Sequence, residues 1–149
     1  LSQDEGTVYI SGKSSTSYLG WGKIVYMFQE DRLLPWRTAK ENVALALGNT
    51  TEAKEKALAV LSSLGLENDA DRYPDEMSGG MCRRVAAARA LAPESDIILA
   101  DEPFTGLDEE NRRVLAAALR EKAKNELVVV VTHIEDEAAL LNAESVYLK

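Results

Sequence analysis

Residues 96–103 have the sequence Asp-Ile-Ile-Leu-Ala-Asp-Glu-Pro, in which a short apolar run is followed by two carboxylates. A second apolar run, Leu127–Val131, lies further along the chain. Runs that are apolar at nearly every position are typical of strands buried on both faces of a parallel sheet, and we predict strands at 96–100 and 127–131. Between them, residues 108–124 have the apolar spacing of a helix that Asp108 can cap. This strand–helix–strand pattern predicts an α/β fold.

The rest of the chain has predicted strands near its ends and helices in its middle. Further strands are predicted at residues 6–10, 23–28 and 145–148. Residues 11–22, rich in Ser and Gly, are predicted to form a loop or hairpin connection. Further helices are predicted at residues 38–47, 51–64, 80–91 and 134–141. We therefore interpret residues 1–149 as one domain, in which a helical subdomain (38–91) is inserted into an α/β core (6–37 and 92–149).

Composition excludes several classes of protein. The 149 residues suit a single domain, and 46% hydrophobic with 28% charged residues is close to the globular average. The 17 basic and 25 acidic residues give a net charge of −8, which argues against nucleic-acid binding. The single cysteine, Cys82, excludes an internal disulfide, and the single histidine, His133, excludes a multi-histidine metal site. Without a long apolar run or a signal peptide, we expect a soluble cytoplasmic domain.

Polar side chains follow both central strands. The carboxyl ends of parallel strands face the ligand crevice, so Asp101, Glu102 and His133 are expected at one edge of the sheet. There Asp101 can hold Mg²⁺ through water and Glu102 can polarise an attacking water. His133 can contact a phosphate or orient that water. The alternatives are a solvated loop for the two carboxylates and a surface histidine at the start of a helix.

Two further segments are candidates for binding an anion or a metal. Ser78-Gly79-Gly80 precedes the predicted helix at 80–91, and exposed N–H groups at a helix N-terminus attract anions. The alternative is an ordinary serine cap followed by turn glycines. Gln29, just after the strand at 23–28, can ligate Mg²⁺ through its amide. Gly12-Lys13-Ser14 looks like the end of a phosphate-binding loop, but no helical pattern follows it, so we do not interpret it as one.

Taken in order, these segments resemble the motifs of ABC-transporter ATPase subunits. The resemblance covers the chain from about Gly6 to its end, and residues 29–43 are most similar to importers of nitrate, sulfonate and taurine. The matching segments are the Q-loop at 26–30 (Tyr-Met-Phe-Gln-Glu), the signature at 77–81 (Met-Ser-Gly-Gly-Met) with its helix at 84–91, Walker B at 97–103, the D-loop at 105–108 and the switch histidine at 132–133.

The resemblance implies a P-loop NTPase-type parallel sheet, with ATP and Mg²⁺ as cofactors. Glu102 and His133 take the catalytic positions, and Asp101 and Gln29 take the metal-binding positions. The positions that contact the nucleotide are Gln29, Ser78, Gly79, Gly80 and Asp108. The implied partners are a second copy or another ABC ATPase subunit, together with a membrane permease at the inner face of the membrane. Nucleic acid is not an implied partner.

Some residues depart from the family pattern. The strand at 6–10 aligns after Walker A, so the first core strand and Walker A have no counterpart and the sheet is expected to be incomplete at its N-terminal side. Met81 and Cys82 replace two glutamines. Without the Walker A lysine and amides, the carboxylates repel a triphosphate. We therefore expect little or no ATPase activity from the chain alone.

The lack of a counterpart to the family's first core strand leads to two further expectations. Because unpaired strand edges invite pairing with another chain, we expect a rearranged sheet or an intimate oligomer. One alternative function is a non-catalytic oligomeric interaction module. Another is a regulatory half-subunit that supplies its signature motif in trans to an intact partner.

Overall fold

The computed structural model describes residues 6–10, 12–17 and 23–147. The strands are β1 (Tyr9–Ile10), β2 (Lys13–Ser14), β3 (Ile24–Met27), β4 (Ile97–Asp101) and β5 (Leu127–Val131). The α-helices are α1 (Ala39–Leu45), α2 (Thr51–Ser63), α3 (Gly79–Leu91), α4 (Glu109–Lys122) and α5 (Glu135–Leu141). Single 3-10 turns lie at Ser15–Ser17, Glu67–Asp69 and Pro74–Glu76. None of the helices in these ranges is long and apolar enough to cross a membrane.

The central sheet contains β3, β4 and β5 in that order, and both pairings are parallel. β4 pairs with β3 from Ile97 to Ala100 and with β5 from Ile97 to Asp101. Strand β4 therefore ends one residue later than predicted, and Asp101 belongs to it. The direct pairing of β4 with β5 means that no strand lies between them. The carboxyl ends of all three strands lie along one edge, as the sequence predicted for a parallel sheet.

The two faces of this sheet differ in burial. One face packs into the core, through Val25, Met27, Ile98, Ala100, Val128 and Val130. The opposite face, which we call the open face, consists of Ile24, Tyr26, Ile97, Leu99, Leu127, Val129 and Val131. Here Leu127, Val129 and Val131 are 58%, 40% and 57% exposed. The prediction that β5 is buried on both faces is wrong, because β5 packs into the core through only alternate residues.

Helices α1, α2 and α3 pack against one another and contribute much of the core. Helix α1 begins where Thr38 accepts a hydrogen bond from the Glu41 amide and the Glu41 side chain accepts one from the Thr38 amide. It ends earlier than predicted, because residues 46–48 form turns and Gly48 then adopts φ +89°. In α3, the alanines Ala87 and Ala88 are fully buried, and their small side chains allow neighbouring elements to approach closely.

Two predicted strands differ from the structure near the chain ends. Of residues 6–10, only Tyr9 and Ile10 are in a strand, because they pair with the short β2 in a tight antiparallel hairpin. The predicted connection at 11–22 contains β2, while residues 11 and 18–22 lie outside the described residues. Residues 145–147 are not in a strand, and they are exposed rather than paired with the sheet. Leu148 lies outside the described residues.

Candidate functional site

The turn after β4 places two carboxylates at the edge of the sheet. Asp101 is the last residue of β4, and the Glu102 amide donates to the Val131 carbonyl at 2.9 Å. Glu102 has φ +47°, a left-handed conformation that is strained for a residue with a side chain. The chain therefore leaves the sheet abruptly at Glu102, while remaining joined to the end of β5.

Glu102 and His133 are in direct contact. Glu102 Oε1 lies 2.6 Å from His133 Nδ1 and accepts the His133 backbone N–H at 3.2 Å. The Glu102 side chain is 14% exposed, whereas that of His133 is 76% exposed. The hydrogen bond and the negative charge of Glu102 raise the pKa of His133, with a smaller contribution from Glu137. The two residues assigned to catalytic positions are thus brought together by adjacent strands.

Asp101 has a partner that sequence reasoning missed. The Tyr26 hydroxyl on β3 donates to Asp101 Oδ2 at 3.2 Å. Partial burial and the charge of Asp101 raise the pKa of Tyr26. The alternation of side chains in paired strands is the signal that places Tyr26 and Asp101 on the same face, once the register is known.

Gln29 is held near this edge by its backbone. Its carbonyl accepts a hydrogen bond of 2.7 Å from Arg83 Nη1, and the same guanidinium donates to the Asp101 carbonyl at 3.2 Å. Gln29 itself is exposed. The structure therefore brings the Gln29 backbone close to the Asp101–Glu102 turn and leaves its side chain accessible to a ligand.

The Ser78-Gly79-Gly80 segment begins α3. Ser78 Oγ accepts the Met81 amide at 3.2 Å, so Ser78 is the helix N-cap, and both Ser78 and Gly79 are exposed. A Cβ added to Gly80 would lie 3.5 Å from the Gly106 carbonyl oxygen, so α3 begins against the segment that precedes α4.

Asp108 caps α4, as the sequence predicted. Its Oδ1 accepts the Asn111 amide at 2.9 Å, and both carboxylate oxygens accept from the Asn111 side-chain amide. Asp108 is exposed. Its carboxylate therefore has a structural partner within this chain and remains accessible to a neighbouring molecule.

Arg83 is the residue near this site that the sequence did not reveal. The sequence alone assigns it no role. Its side chain is only 4% exposed and makes an ion pair with Asp31 at 3.2 Å. A buried guanidinium requires several hydrogen-bond acceptors. The sequence signal that could have indicated its burial is its position in a helix rich in alanine.

A second ion pair joins the helices that follow the site. Arg112 Nη2 on α4 donates to Glu137 Oε1 on α5 at 3.0 Å, and the Glu137 side chain is almost fully buried. Because α4 follows Asp108 and α5 follows His133, this contact links the segments that carry those residues.

The chain is similar in sequence to known import proteins. The profile of the ABC transporter family matches residues 1–105. The chain is 38% identical to the aliphatic sulfonates import ATP-binding protein SsuB of Bacillus subtilis (strain 168), over 99% of this chain and 58% of SsuB. It is 42% identical to the nitrate import ATP-binding protein NrtC of Synechococcus elongatus, over 82% of this chain and 20% of NrtC. The chain thus spans less than two thirds of these relatives.

The fold is similar to that of solved ATP-binding cassettes. One is a dimeric structure of a post-hydrolysis state of the cassette MJ0796 bound to ADP and Pi, with a TM-score of 0.79 and 34% identity over 92% of this chain and 66% of that one. This similarity confirms the predicted α/β cassette fold, and the import relatives confirm the resemblance indicated by the motifs. The chain belongs to the ABC transporter family.

Proposed function

We propose that this chain supplies the residues that hydrolyse ATP in an ATPase that drives membrane import. The observation that carries the proposal is the contact between Glu102 and His133, 2.6 Å apart at the ends of adjacent parallel strands, with Asp101 beside them. ATP turnover is the chemistry of the family, and this edge of the sheet supplies a carboxylate that can accept a proton from the attacking water.

The proposed chemistry assigns separate roles to the two contacting residues. The Glu102 carboxylate accepts a proton from a water molecule whose oxygen attacks the γ-phosphorus. The bond from that phosphorus to the bridging oxygen breaks, and ADP and phosphate are released. His133 donates to Glu102 Oε1 through its backbone N–H and so fixes the direction of the carboxylate. The exposed imidazole of His133 is accessible to the γ-phosphate.

The donor groups at the edge fit Mg²⁺. Asp101 offers a carboxylate and Gln29 an amide oxygen, which are hard oxygen ligands of the kind that Mg²⁺ prefers. No group of three or more His, Cys, Asp or Glu side chains in the described part of the chain forms a metal cage. Bound by Asp101 and Gln29, Mg²⁺ would supply positive charge to the triphosphate.

We further propose that the phosphate-binding loop comes from outside residues 1–149, from a longer chain or a second subunit. Lys13 and Ser14 form β2 of a hairpin, and a 3-10 turn at Ser15–Ser17, not an α-helix, directly follows them. A phosphate-binding loop opens an α-helix, because the helix N-terminus supplies much of the anion binding. The hairpin therefore supports the interpretation that Gly12-Lys13-Ser14 does not cradle a phosphate.

The packing of the helices supports the proposed organisation of the chain. The mutual packing of α1, α2 and α3 supports a helical subdomain at 38–91 and an α/β core at 6–37 and 92–149.

In this proposal the chain acts at the cytoplasmic face of a membrane with a permease, and it pairs with another ATPase subunit or a second copy.

Phosphate release from Mg·ATP tests the proposal. The full chain is assayed alone and mixed with an intact ABC ATP-binding subunit whose own catalytic glutamate has been replaced. We expect little release from either protein alone and clear release from the mixture. Glu102→Gln should then lower the rate about 100-fold or more, because it removes the proton acceptor.

Glu121→Gln is the matched control, since Glu121 is an exposed glutamate on α4 whose carboxylate pairs with Lys124. It should leave the rate unchanged. A mixture without turnover, or with turnover that Glu102→Gln does not affect, would contradict the proposed hydrolysis.

A second candidate function is binding without hydrolysis, in which this chain lends its signature segment to a partner. The exposure of Ser78 and Gly79 at the start of α3 favours it. Calorimetric titration with Mg·ATP distinguishes the two candidates. Binding only in the presence of the partner, without turnover in the phosphate assay, would support the second candidate. Micromolar binding by the chain alone would contradict the proposed external phosphate loop.

A further inference from the structure

Arg83 has an unusual environment for a helical arginine. It lies in the second turn of α3, and its side chain is 4% exposed. Each of its three nitrogens donates hydrogen bonds. Nε donates to the Pro103 carbonyl (3.2 Å), Nη1 to Phe28 O (2.9 Å), Gln29 O (2.7 Å) and Asp31 Oδ1 (3.2 Å), and Nη2 to Asp101 O (3.2 Å) and Glu102 O (2.5 Å).

These acceptors belong to two loops. The carbonyls of Phe28 and Gln29 follow β3, and those of residues 101–103 lie at the end of β4 and just after it. Because β3 and β4 are adjacent and parallel, both loops leave the sheet at the same edge. One buried guanidinium therefore joins the start of α3 to the two loops that carry Gln29, Asp101 and Glu102.

The loop after β4 needs such an anchor. Glu102 adopts φ +47°, in the left-handed region, which is strained for a residue with a side chain and persists only where the surrounding structure holds it. Arg83 binds the carbonyl of Glu102 itself and those of both its neighbours. The strained backbone is thereby held from one side by Arg83 and from the other by the Val131 carbonyl.

We propose that Arg83 is a positioning residue, which holds the turn after β4 in the conformation that places the Glu102 carboxylate against His133 and couples this turn to the Gln29 loop. The expected effect of Arg83 on ATP turnover rests on the proposed function. Its expected effect on the position of the Glu102 carboxylate is independent of that function and can be measured without nucleotide.

The geometry favours arginine over other donors. A planar guanidinium donates in several fixed directions, whereas a lysine ammonium is a compact charge with three donors and a glutamine amide has two. We therefore expect Arg83→Lys to retain part of the anchoring and Arg83→Gln to lose most of it.

His133 provides the readout, because it is the single histidine of the chain and its ring titrates without overlap. The groups that act on it are Glu102, which contacts it, and Glu137 on α5. In the full chain, NMR titration of Glu102→Gln defines the His133 midpoint without the carboxylate. Arg83→Gln should move the midpoint most of the way to that value, and Arg83→Lys should move it less.

Arg84→Gln is the matched control. Arg84 is the next residue of α3, but it donates to the carbonyls of Leu64 and Gly65 at the end of α2. Its replacement removes a guanidinium from the same helix without touching the loops after β3 and β4, and should leave the His133 midpoint unchanged. Thermal unfolding of each variant establishes that the titrations are made on folded protein.

The outcomes separate this proposal from the proposed function. A folded Arg83→Gln or Arg83→Lys variant whose His133 midpoint equals that of the unsubstituted chain would overturn it. So would an equal displacement by Arg84→Gln, because that would show a general structural effect. Loss of turnover in the phosphate assay without any change in the midpoint would also count against positioning. Absence of turnover in every variant would contradict only the hydrolytic function, since the titration does not depend on it.

Discussion

Leu61 on α2 and Val129 on β5 are both apolar side chains in regular elements, yet Leu61 is fully buried and Val129 is 40% exposed. Helix α2 packs against both α1 and α3, and Leu61 belongs to the core that they share. Val129 lies on the open face, opposite the face through which the sheet packs into the core. The comparison shows that an apolar pattern identifies residues that avoid water but does not identify what covers them.

The largest expected effect on stability is the difference between alanine substitutions at these two positions. Leu61→Ala should lower the free energy of unfolding by about 2 to 5 kcal/mol, because it leaves a cavity in a packed core. Val129→Ala should lower it by about 1 kcal/mol or less, because the side chain is already partly solvated. Urea unfolding monitored by circular dichroism measures both values.

Repeating the urea series at two protein concentrations sharpens the comparison. Similar losses at the two positions would contradict the difference in burial. A loss at Val129 that depended on protein concentration would indicate that the open face is covered in an oligomer, as the expectation of an intimate oligomer requires.

An intermediate effect is expected at the ion pair between α4 and α5. Glu137→Gln should lower the free energy of unfolding by about 1 to 3 kcal/mol, because it leaves Arg112 facing a neutral group at a nearly buried position. The exposed pair Glu109–Arg113 on α4, at 2.9 Å, is the control. Glu109→Gln should change stability by only about 0.5 kcal/mol. Equal effects would show that burial does not distinguish the two pairs.

The smallest effect on stability is expected from His133, because its side chain is largely exposed. Its pKa is raised in the folded protein by Glu102, so its stabilising contribution is fully present below the unfolded-state pKa, which is about 6.5, and is lost as pH rises through the folded value. NMR titration should show a lower midpoint in Glu102→Gln. An unchanged midpoint would contradict the contact between Glu102 and His133.

Local signals in the sequence predicted the elements well. Thr38 and Asp108 were recognised as helix starts and both cap helices in the structure. These predictions succeeded because a cap depends on groups within about one helical turn. Asp101 and Glu102 were also placed correctly at the edge of a parallel sheet, although Asp101 is the last residue of the strand and not the first residue after it.

Signals that depend on distant partners were weaker. Leu127–Val131 was predicted to be buried on both faces, but a uniformly apolar strand does not reveal whether a second layer covers it. Arg83 was assigned no role because its acceptors, at residues 28–31 and 101–103, are far away in the sequence. Tyr26 was missed for the same reason, since its contact with Asp101 requires the register of β3 on β4.

The sequence by itself determined the α/β class, the helix caps, the motifs of the family and the strand ends at which the polar residues lie. These follow from periodicity, from short-range hydrogen bonding and from the order of motifs along the chain. Only the tertiary structure decided that Glu102 touches His133, that Arg83 joins two loops and that one face of β5 is exposed. Each of these depends on strand pairing and packing between segments distant in the chain, which no local pattern of residues encodes.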